Sequence, residues 1–488
     1  MDEYWDMQQI DTLIIGAGIS GLGLAVHLKR NNPNQNFLIV EARHAIGGTW
    51  DLFKYPGIRS DSDMATFGFA FKPWSKDSLL ADAASIKGYL AEVVAEYDLQ
   101  SHIVFNTRVM SANYDSDKKC WCLSLQDEAG QISECWARFV VGCTGYYDYQ
   151  QPYQPQFNGQ QNFQGQLIHP QHWPQDLDYQ NKKIVVIGSG ATAVTLLPAL
   201  VKGGAAHVTM LQRSPSYVAT VAAEDGLYKK LKAKLPEQLA YKIVRGRNIA
   251  TQRAVYFLAQ KQPKLLKSLL IKQVDKQLKA HQDLAHFQPN YMPWQQRLCA
   301  VPDGDLFQAI NSQQASIMTD EIAEITTHGM ILKSGQHVAA DIIVTATGLN
   351  LQILGGLTLS IDGQAIDPAQ HMLYQSTLPN DVPNFALMIG YINASWTLKV
   401  DLVADYLCRL WQFMQQHDYQ EVVAQATHHQ ISEDTVMGGL NSGYIQRAQH
   451  LLPKQGQAAP WLTEHNYFAD RRRFKRAKFN DGILLFKH

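Results

Sequence analysis

The most regular feature of the chain is a pair of short apolar runs that break abruptly into glycine. Thr12-Leu-Ile-Ile15 leads into Gly16-Ala-Gly18-Ile-Ser-Gly21, and Lys183-Ile-Val-Val-Ile187 leads into Gly188-Ser-Gly190-Ala-Thr192-Ala193. Runs this short, bounded by turn residues, read as strands covered on both faces. Each turn opens a stretch of helical character, Leu22 to Arg30 and Val194 to Lys202. Each helix is followed by another apolar run, Phe37-Leu-Ile-Val40 and His207-Val-Thr-Met-Leu211. Strand, glycine turn, helix and strand, twice over, predict an α/β fold with two Rossmann-like dinucleotide-binding domains. From residue 221 to 280 the period becomes helical. Leu265, Leu269 and Lys272 fall near successive turns, while Pro236 and Pro263 divide the stretch into two or three helices. This segment is a helical insertion.

The ends of the second strands separate the two nucleotides. In both motifs the glycines permit a tight turn and close backbone approach, and the helix N-terminus favours a pyrophosphate. Glu41 follows Val40, twenty residues past Gly21, where a carboxylate accepts hydrogen bonds from a ribose diol. The matching place after the second motif holds Arg213, whose charge suits a 2′-phosphate. The first site (Gly16, Gly18, Gly21, Glu41) is therefore expected to take a dinucleotide with a free ribose diol, and the second (Gly188, Gly190, Thr192, Arg213) NADPH rather than NADH. Two such folds in one chain imply that a dinucleotide hands hydride to a second cofactor.

Composition narrows the setting. At 488 residues the chain accommodates two or three domains. A net charge of −1 offers nothing to nucleic acid. The six cysteines form no Cys-x-x-Cys pair and no zinc spacing, which suits a reducing compartment and gives no metal site. There is no run of 18 uncharged apolar residues, and Met1-Asp-Glu-Tyr-Trp-Asp has no apolar core of a secretory signal, so the expected location is cytoplasmic. Residues 221–280 carry fourteen Lys or Arg against four acids, and Arg471-Arg-Arg473-Phe-Lys-Arg-Ala-Lys478 is basic again. Such runs are usually the solvated face of a helical domain. Weak attraction to an anionic membrane surface is the other reading. No obligate protein partner is implied.

Three further strings carry chemistry. Gly47-Gly48-Thr49-Trp50 lets backbone approach a flat ring with Trp50 as an apolar wall, and Tyr55-Pro56-Gly57-Ile58-Arg59-Ser60-Asp61 turns so as to aim Asp61 inward. Phe163-Gln-Gly165-Gln-Leu-Ile-His169-Pro-Gln-His-Trp173-Pro174 lies between the two fingerprints. Arg297 sits in the aromatic, proline-punctuated stretch Asn290 to Asp305. These strings resemble the flavin-dependent Baeyer–Villiger monooxygenases. The resemblance runs from residue 10 to about 480 and is strongest to the branch that contains the mycobacterial ethionamide-activating monooxygenase.

The resemblance implies that NADPH reduces FAD, that O2 then adds to the reduced ring as a C4a-peroxyflavin, and that a small lipophilic ketone becomes an ester or lactone. Sulfur oxidation of thioethers or thioamides is implied as a second activity. Arg297 would hold the anionic oxidant, Asp61 would orient Arg297 by a charge-assisted pair, and NADP+ would stay bound. Phe163, Gly165, His169, Trp173 and Pro174 would form the interdomain linker, with His169 structural rather than a general base. The corners Cys143-Thr144-Gly145 and Thr345-Ala-Thr347-Gly348 would mark the crossovers between domains. The implied layout is FAD domain 1–148, linker and NADPH domain 149–217, helical subdomain 218–290, NADPH domain with the active-site loop 291–347, and FAD domain with the basic tail 348–488. Relatives often carry Lys where this chain has Gln296, which leaves nicotinamide choice to Arg213. Asn393 and Trp396 are placed near the flavin, although core packing explains Trp396 equally.

A dedicated sulfur or nitrogen oxygenase is the alternative within the same chemistry. A pyridine nucleotide–disulfide reductase would need a redox dithiol that the chain lacks. A non-catalytic flavin module leaves Arg297, Asp61 and the Phe–His–Trp–Pro string without a reason to occur together.

Overall fold

The computed structural model describes residues 10–279, 283–426, 431–440 and 442–488. Strand β1 (Ile10–Ile15) is buried almost throughout and enters helix α1 (Ile19–Asn31) through the first glycine turn. The helix begins three residues earlier than its composition predicts, because Gly18 is the N-cap and Gly21 belongs to the first turn. Strands β2 (Phe37–Val40), β3 (Ile103–Val104), β4 (Thr107–Asp115), β5 (Cys120–Asp127) and β6 (Ile132–Gly142) follow. The short helices α2 (Thr49–Leu52) and α3 (Met64–Phe67) and the longer α4 (Ala83–Glu96) lie between β2 and β3.

The second unit holds β7 (Gln166–Ile168), β8 (Lys183–Ile187), helix α5 (Ala191–Lys202) and β9 (His207–Gln212). α5 also starts three residues before the expected Val194, with Gly190 as N-cap. The insertion opens with a strand, β10 (Val218–Val221), which pairs in parallel with β11 (Cys299–Pro302). Between them run α6 (Gly226–Lys232), α7 (Glu237–Lys261) and α8 (Pro263–Asp275). Pro236 is the N-cap of α7, and Pro263 opens α8, where its missing N–H costs nothing. Helix α9 (Asp305–Asn311), β12 (Ala315–Thr319), a small antiparallel sheet of β13 (Ile322–Thr326), β14 (Gly329–Leu332) and β15 (His337–Ala339), and then β16 (Ile342–Thr345) complete the unit. The chain returns with β17 (Thr358–Ile361), β18 (Gln364–Ile366), the strand Phe385–Leu387, and helices α10 (Trp396–Gln416), α11 (Gly443–Arg447) and α12 (Tyr467–Arg476).

Two mixed or parallel sheets organise these elements. The larger has the order β18-β17-β4-β5-β6-β1-β2-β3, with Phe385–Leu387 paired to β6; the other has the order β12-β9-β8-β16-β7. Register explains where the sites fall. Ile15 pairs with both Val40 and Gly142, so Gly16, Glu41 and Cys143 leave three adjacent parallel strands abreast. Ile187 pairs with both Leu211 and Thr345, so Gly188, Gln212 and Ala346 do the same in the second sheet. Carboxyl ends of parallel strands at such an edge form the crevice where nucleotides bind. The two units interlock: Leu52, Phe53 and Tyr55 are buried in the core built mainly on β8, β9 and α5. Among the described residues no helix is long and apolar enough to cross a membrane.

Candidate active site

The glycines divide their labour in the same way at both crevices. A Cβ on Gly16 would lie 2.8 Å from the Cys143 carbonyl oxygen, and one on Gly188 would lie 2.3 Å from that of Ala346. Both have positive φ, +106° and +138°, so turn geometry and crowding each demand glycine. Gly21 is pressed against the Gly16 carbonyl, at 2.0 Å from a built Cβ, which sets the helix close to the strand. Gly18 and Gly190 differ. The nearest atom to a Cβ on Gly18 is 3.8 Å away, and nothing lies within 4 Å at Gly190. Backbone at these two positions faces open space, as close approach of a pyrophosphate requires.

One cavity of about 470 Å³ gathers the first fingerprint with residues from distant parts of the chain. Gly16, Gly18, Glu41, Gly48, Thr49, Trp50, Asp61 and Arg297 all line it, joined by Arg43, Tyr146, Tyr147, Tyr149 and Trp396. Glu41 is buried; its Oε2 accepts from the Ala17 N–H at 2.7 Å and its Oε1 from the Arg43 N–H at 2.9 Å. Burial pushes its carboxyl above the usual range, against the pull of those two N–H groups. Each oxygen keeps lone pairs for ribose hydroxyls. Arg43 is held by buried Asp51 at 2.5 Å, which Lys87 also reaches at 2.5 Å. Gly48, at φ +55°, approaches Gly18 so closely that a Cβ would sit 3.3 Å from its Cα. Thr49 Oγ1 lies 3.3 Å from the Tyr149 hydroxyl.

The far end of the cavity is aromatic. Trp50 stands edge-on to Phe67, with ring centroids 5.6 Å apart. Trp396 opens α10, donates its Nε1–H to Ser20 Oγ at 2.8 Å, and stacks on Tyr146 at 5.4 Å. Tyr146 in turn faces Tyr147, the hydroxyls 3.2 Å apart. Arg297 reaches this cluster with one guanidinium nitrogen 3.2 Å from the Tyr146 hydroxyl, while its Nε is buried without a partner. Tyr146 and Tyr444, the latter from α11, lead the influences that hold the guanidinium well above its ordinary pKa, so its charge is permanent. Burial pushes the Tyr444 phenol up to about 12, so it stays neutral beside the cation.

The expected ion pair between Asp61 and Arg297 is not made. Arg297 forms no ion pair within 4.0 Å among the described residues; Tyr146, Tyr444, Tyr147 and Asp61 are the groups that act on its charge. Asp61 is exposed on the cavity wall and acts on Arg297 through space. Its neighbour Arg59 does make a clamp: both terminal nitrogens meet Asp305 of α9, at 2.6 and 3.3 Å, and tie the first unit to the second.

The Phe163–Pro174 string is built into the second sheet. Gly165 lies under the Phe163 ring and the Asp341 carbonyl, which a Cβ would meet at 2.6 and 2.2 Å, and β7 then pairs with β16. His169 is buried; its Nε2 lies 3.2 Å from the Gly348 carbonyl and its Nδ1 accepts from the Gln171 N–H at 3.1 Å. Trp173 and Pro174 are half-buried, Trp173 against the core of the second unit. None of Gly188, Gly190, Thr192 and Arg213 lines the 470 Å³ cavity. Arg213 is exposed at the end of β9, and Thr192 is half-buried in the first turn of α5.

Tyr146, Tyr147, Tyr149, Tyr444 and Arg43 escaped the reading of the sequence. The density of tyrosine directly after the Cys143-Thr144-Gly145 corner was a usable signal; Tyr444 had none, since its partner is 147 positions away in a loop of unrelated pattern.

Each of the two parallel-sheet units opens a glycine turn at the carboxyl ends of its strands, and one cavity runs from the Glu41 carboxylate to the Arg297 guanidinium, a framework suited to two dinucleotides. A protein-family profile described as flavin-binding monooxygenase-like matches residues 9–446. Over 479 residues the chain is 57% identical to the probable FAD-binding monooxygenase AlmA of an Acinetobacter species, covering 98% of this chain and 96% of that one. It is 45% identical over 480 residues to the FAD-containing monooxygenase EthA of Mycobacterium tuberculosis, covering 98% of each. The structure of an oxidized steroid monooxygenase bound to NADP matches with a TM-score of 0.77 at 19% identity, over 98% of this chain and 99% of that one. An open cyclohexanone monooxygenase matches with a TM-score of 0.76 at 18% identity, over 99% and 100%. Likeness at that identity speaks for the fold alone. The chain belongs to the flavin-binding monooxygenase-like family, and it is a flavin-dependent monooxygenase.

Proposed function

We propose that the protein uses FAD, NADPH and O2 to insert one oxygen atom into lipophilic ketones, giving esters or lactones, with oxidation of thioethers or thioamides as a second activity of the same site. Reduced FAD supplies the activation of O2. The chain's own residues supply the rest. The Gly16–Gly21 turn offers N–H groups to a pyrophosphate, Glu41 takes the ribose hydroxyls, and Gly48, Thr49 and Trp50 border the ring system. Arg213 takes the 2′-phosphate of NADPH in the second crevice.

The observation that carries the ketone reading is Arg297. Attack on a carbonyl carbon needs an oxygen that keeps its negative charge, and this is the group that stabilises it: a cation that cannot give up its proton, set among phenols and an indole. A sulfur nucleophile instead needs the protonated oxidant, and a site dedicated to sulfur has no use for a fixed cation there. Arg297→Ala and Arg297→Lys test this. Arg297→Ala is expected to consume NADPH and O2 and release hydrogen peroxide while ester formation falls by at least about 10²-fold; the lysine variant should recover part of it. Ester formation unchanged in Arg297→Ala would sink the assignment. If ketones yield nothing with the native enzyme while thioethers turn over, the dedicated heteroatom oxygenase is the correct reading.

A further inference from the structure

Helix α7 is built with its polarity turned outward to inward. Its inner face carries Arg245, Asn248 and Gln252, all committed to the protein. Arg245 donates to the carbonyls of Ala65 and Gly68, at 2.8 and 2.6 Å, and meets Asp401 at 3.2 Å. Asn248 and Gln252 donate to the two oxygens of Asp63, at 2.7 and 2.5 Å. The outer face is a single row of uncharged positions at helical spacing: Leu239, Ile243, Gly246, Ala250, Ala254 and Phe257, every one exposed. A Cβ on Gly246 would meet nothing within 4 Å. The row runs for about 27 Å at 1.5 Å per residue. Beyond it α8 exposes Leu265 and Leu269, so five of the twelve large exposed hydrophobics among the described residues lie on these two helices. A merely solvated face would carry its charges where these apolar side chains stand.

The charges stand beside the row instead. Lys242, Lys261, Lys264 and Lys272 are exposed and joined by no ion pair among the described residues. Residues 221–280 hold fourteen bases to four acids in a chain whose net charge is −1. A second basic helix comes near its inner side: Tyr467 of α12 packs against a small apolar cluster that holds Ile249 of α7, and α12 exposes Phe468, Arg471, Arg472, Lys475 and Arg476.

We propose that α7, α8 and α12 form a docking face for an anionic phospholipid bilayer, with the apolar row entering the headgroup boundary and the flanking Lys and Arg meeting lipid phosphates. A second copy of the chain is the poorer occupant, since a symmetric contact would press two basic segments together. The face is also one helix from the chemistry. Tyr256 of α7 meets Trp294 of the Arg297 loop edge-on at 5.9 Å, so a lipophilic substrate would leave the bilayer close to the cavity. The docking itself does not rest on the ketone reading.

Vesicle flotation of the FAD-loaded enzyme tests it, with pure phosphatidylcholine against phosphatidylcholine containing phosphatidylglycerol. Binding is expected on the anionic vesicles only, with release between about 0.05 and 0.5 M salt. Ile243→Glu with Phe257→Glu, and separately Lys242→Glu with Lys272→Glu, are each expected to weaken binding by at least about tenfold with FAD content unchanged. All four side chains are exposed, so neither pair should disturb folding. No flotation at low salt, or flotation that neither double variant reduces, overturns the proposal. So does a native dimer that Ile243→Glu with Phe257→Glu converts to a monomer without any vesicle binding, which would make the row a self-association face.

Discussion

His169 bonds through Nε2 to the carbonyl of Gly348 across 3.2 Å, joining the linker between the two nucleotide folds to the corner where the chain turns back toward the first. Because Nδ1 accepts from the Gln171 N–H, the proton resides on Nε2 and the ring is a neutral, fully used strut. It does not line the cavity that holds Arg297, which fits a part that transmits position rather than protons.

Removing that strut should therefore change the timing of the reaction and not the holding of flavin. His169→Ala is expected to retain FAD, to lose about 1–3 kcal/mol of stability for the vacated carbonyl and N–H, and to slow flavin reduction or raise peroxide release. Stopped-flow reduction by NADPH, with peroxide assayed in parallel, checks this. FAD lost on purification would reverse the assignment.

Two histidines give the fold an acid limit. Burial lowers His169 to about 4 and His465 to about 4, both from an ordinary value of 6.5. Between those limits the unfolded chain takes up protons that the folded one refuses, so stability is full above about pH 6.5 and is lost as pH falls toward 4. Thermal unfolding across that range should show a falling midpoint, with a shallower slope in His465→Gln. A midpoint flat from pH 7 to 4.5 would contradict it.

The proposed function gives nicotinamide choice to one exposed side chain, Arg213. Arg213→Ala should raise KM for NADPH by about tenfold or more and leave NADH nearly unchanged, because only the 2′-phosphate loses its partner. Steady-state kinetics with both nucleotides decide it; equal losses for the two would assign Arg213 to general nucleotide binding.

Features that depend on a few adjacent residues were legible in the sequence. Gly16, Gly18 and Gly21, and their counterparts from Gly188, announce themselves because turn, helix N-terminus and strand are contiguous. Pro236 and Pro263 marked helix starts for the same local reason. Contacts across the chain were not. Arg297 was identifiable by its setting, but its partners Tyr146 and Tyr444 come from a corner 151 residues before it and a helix 147 residues after it, and the Asp61 pair assumed in their place is not formed. Periodicity at Leu265, Leu269 and Lys272, now in α8, announced a helical insertion without showing which face of α7 is buried, since Arg245 and Asn248 turn inward where Asp401, Asp63 and the Ala65–Gly68 carbonyls wait.

The proposed function stands on oxygen insertion into a ketone at the Arg297 end of the cavity. Turnover of a long-chain 2-alkanone under ¹⁸O2, with NADPH, O2 and products counted together, addresses it directly. An ester carrying one ¹⁸O atom for each NADPH and O2 consumed is expected. NADPH consumed to hydrogen peroxide alone, with the ketone recovered unlabelled and unchanged, would contradict it.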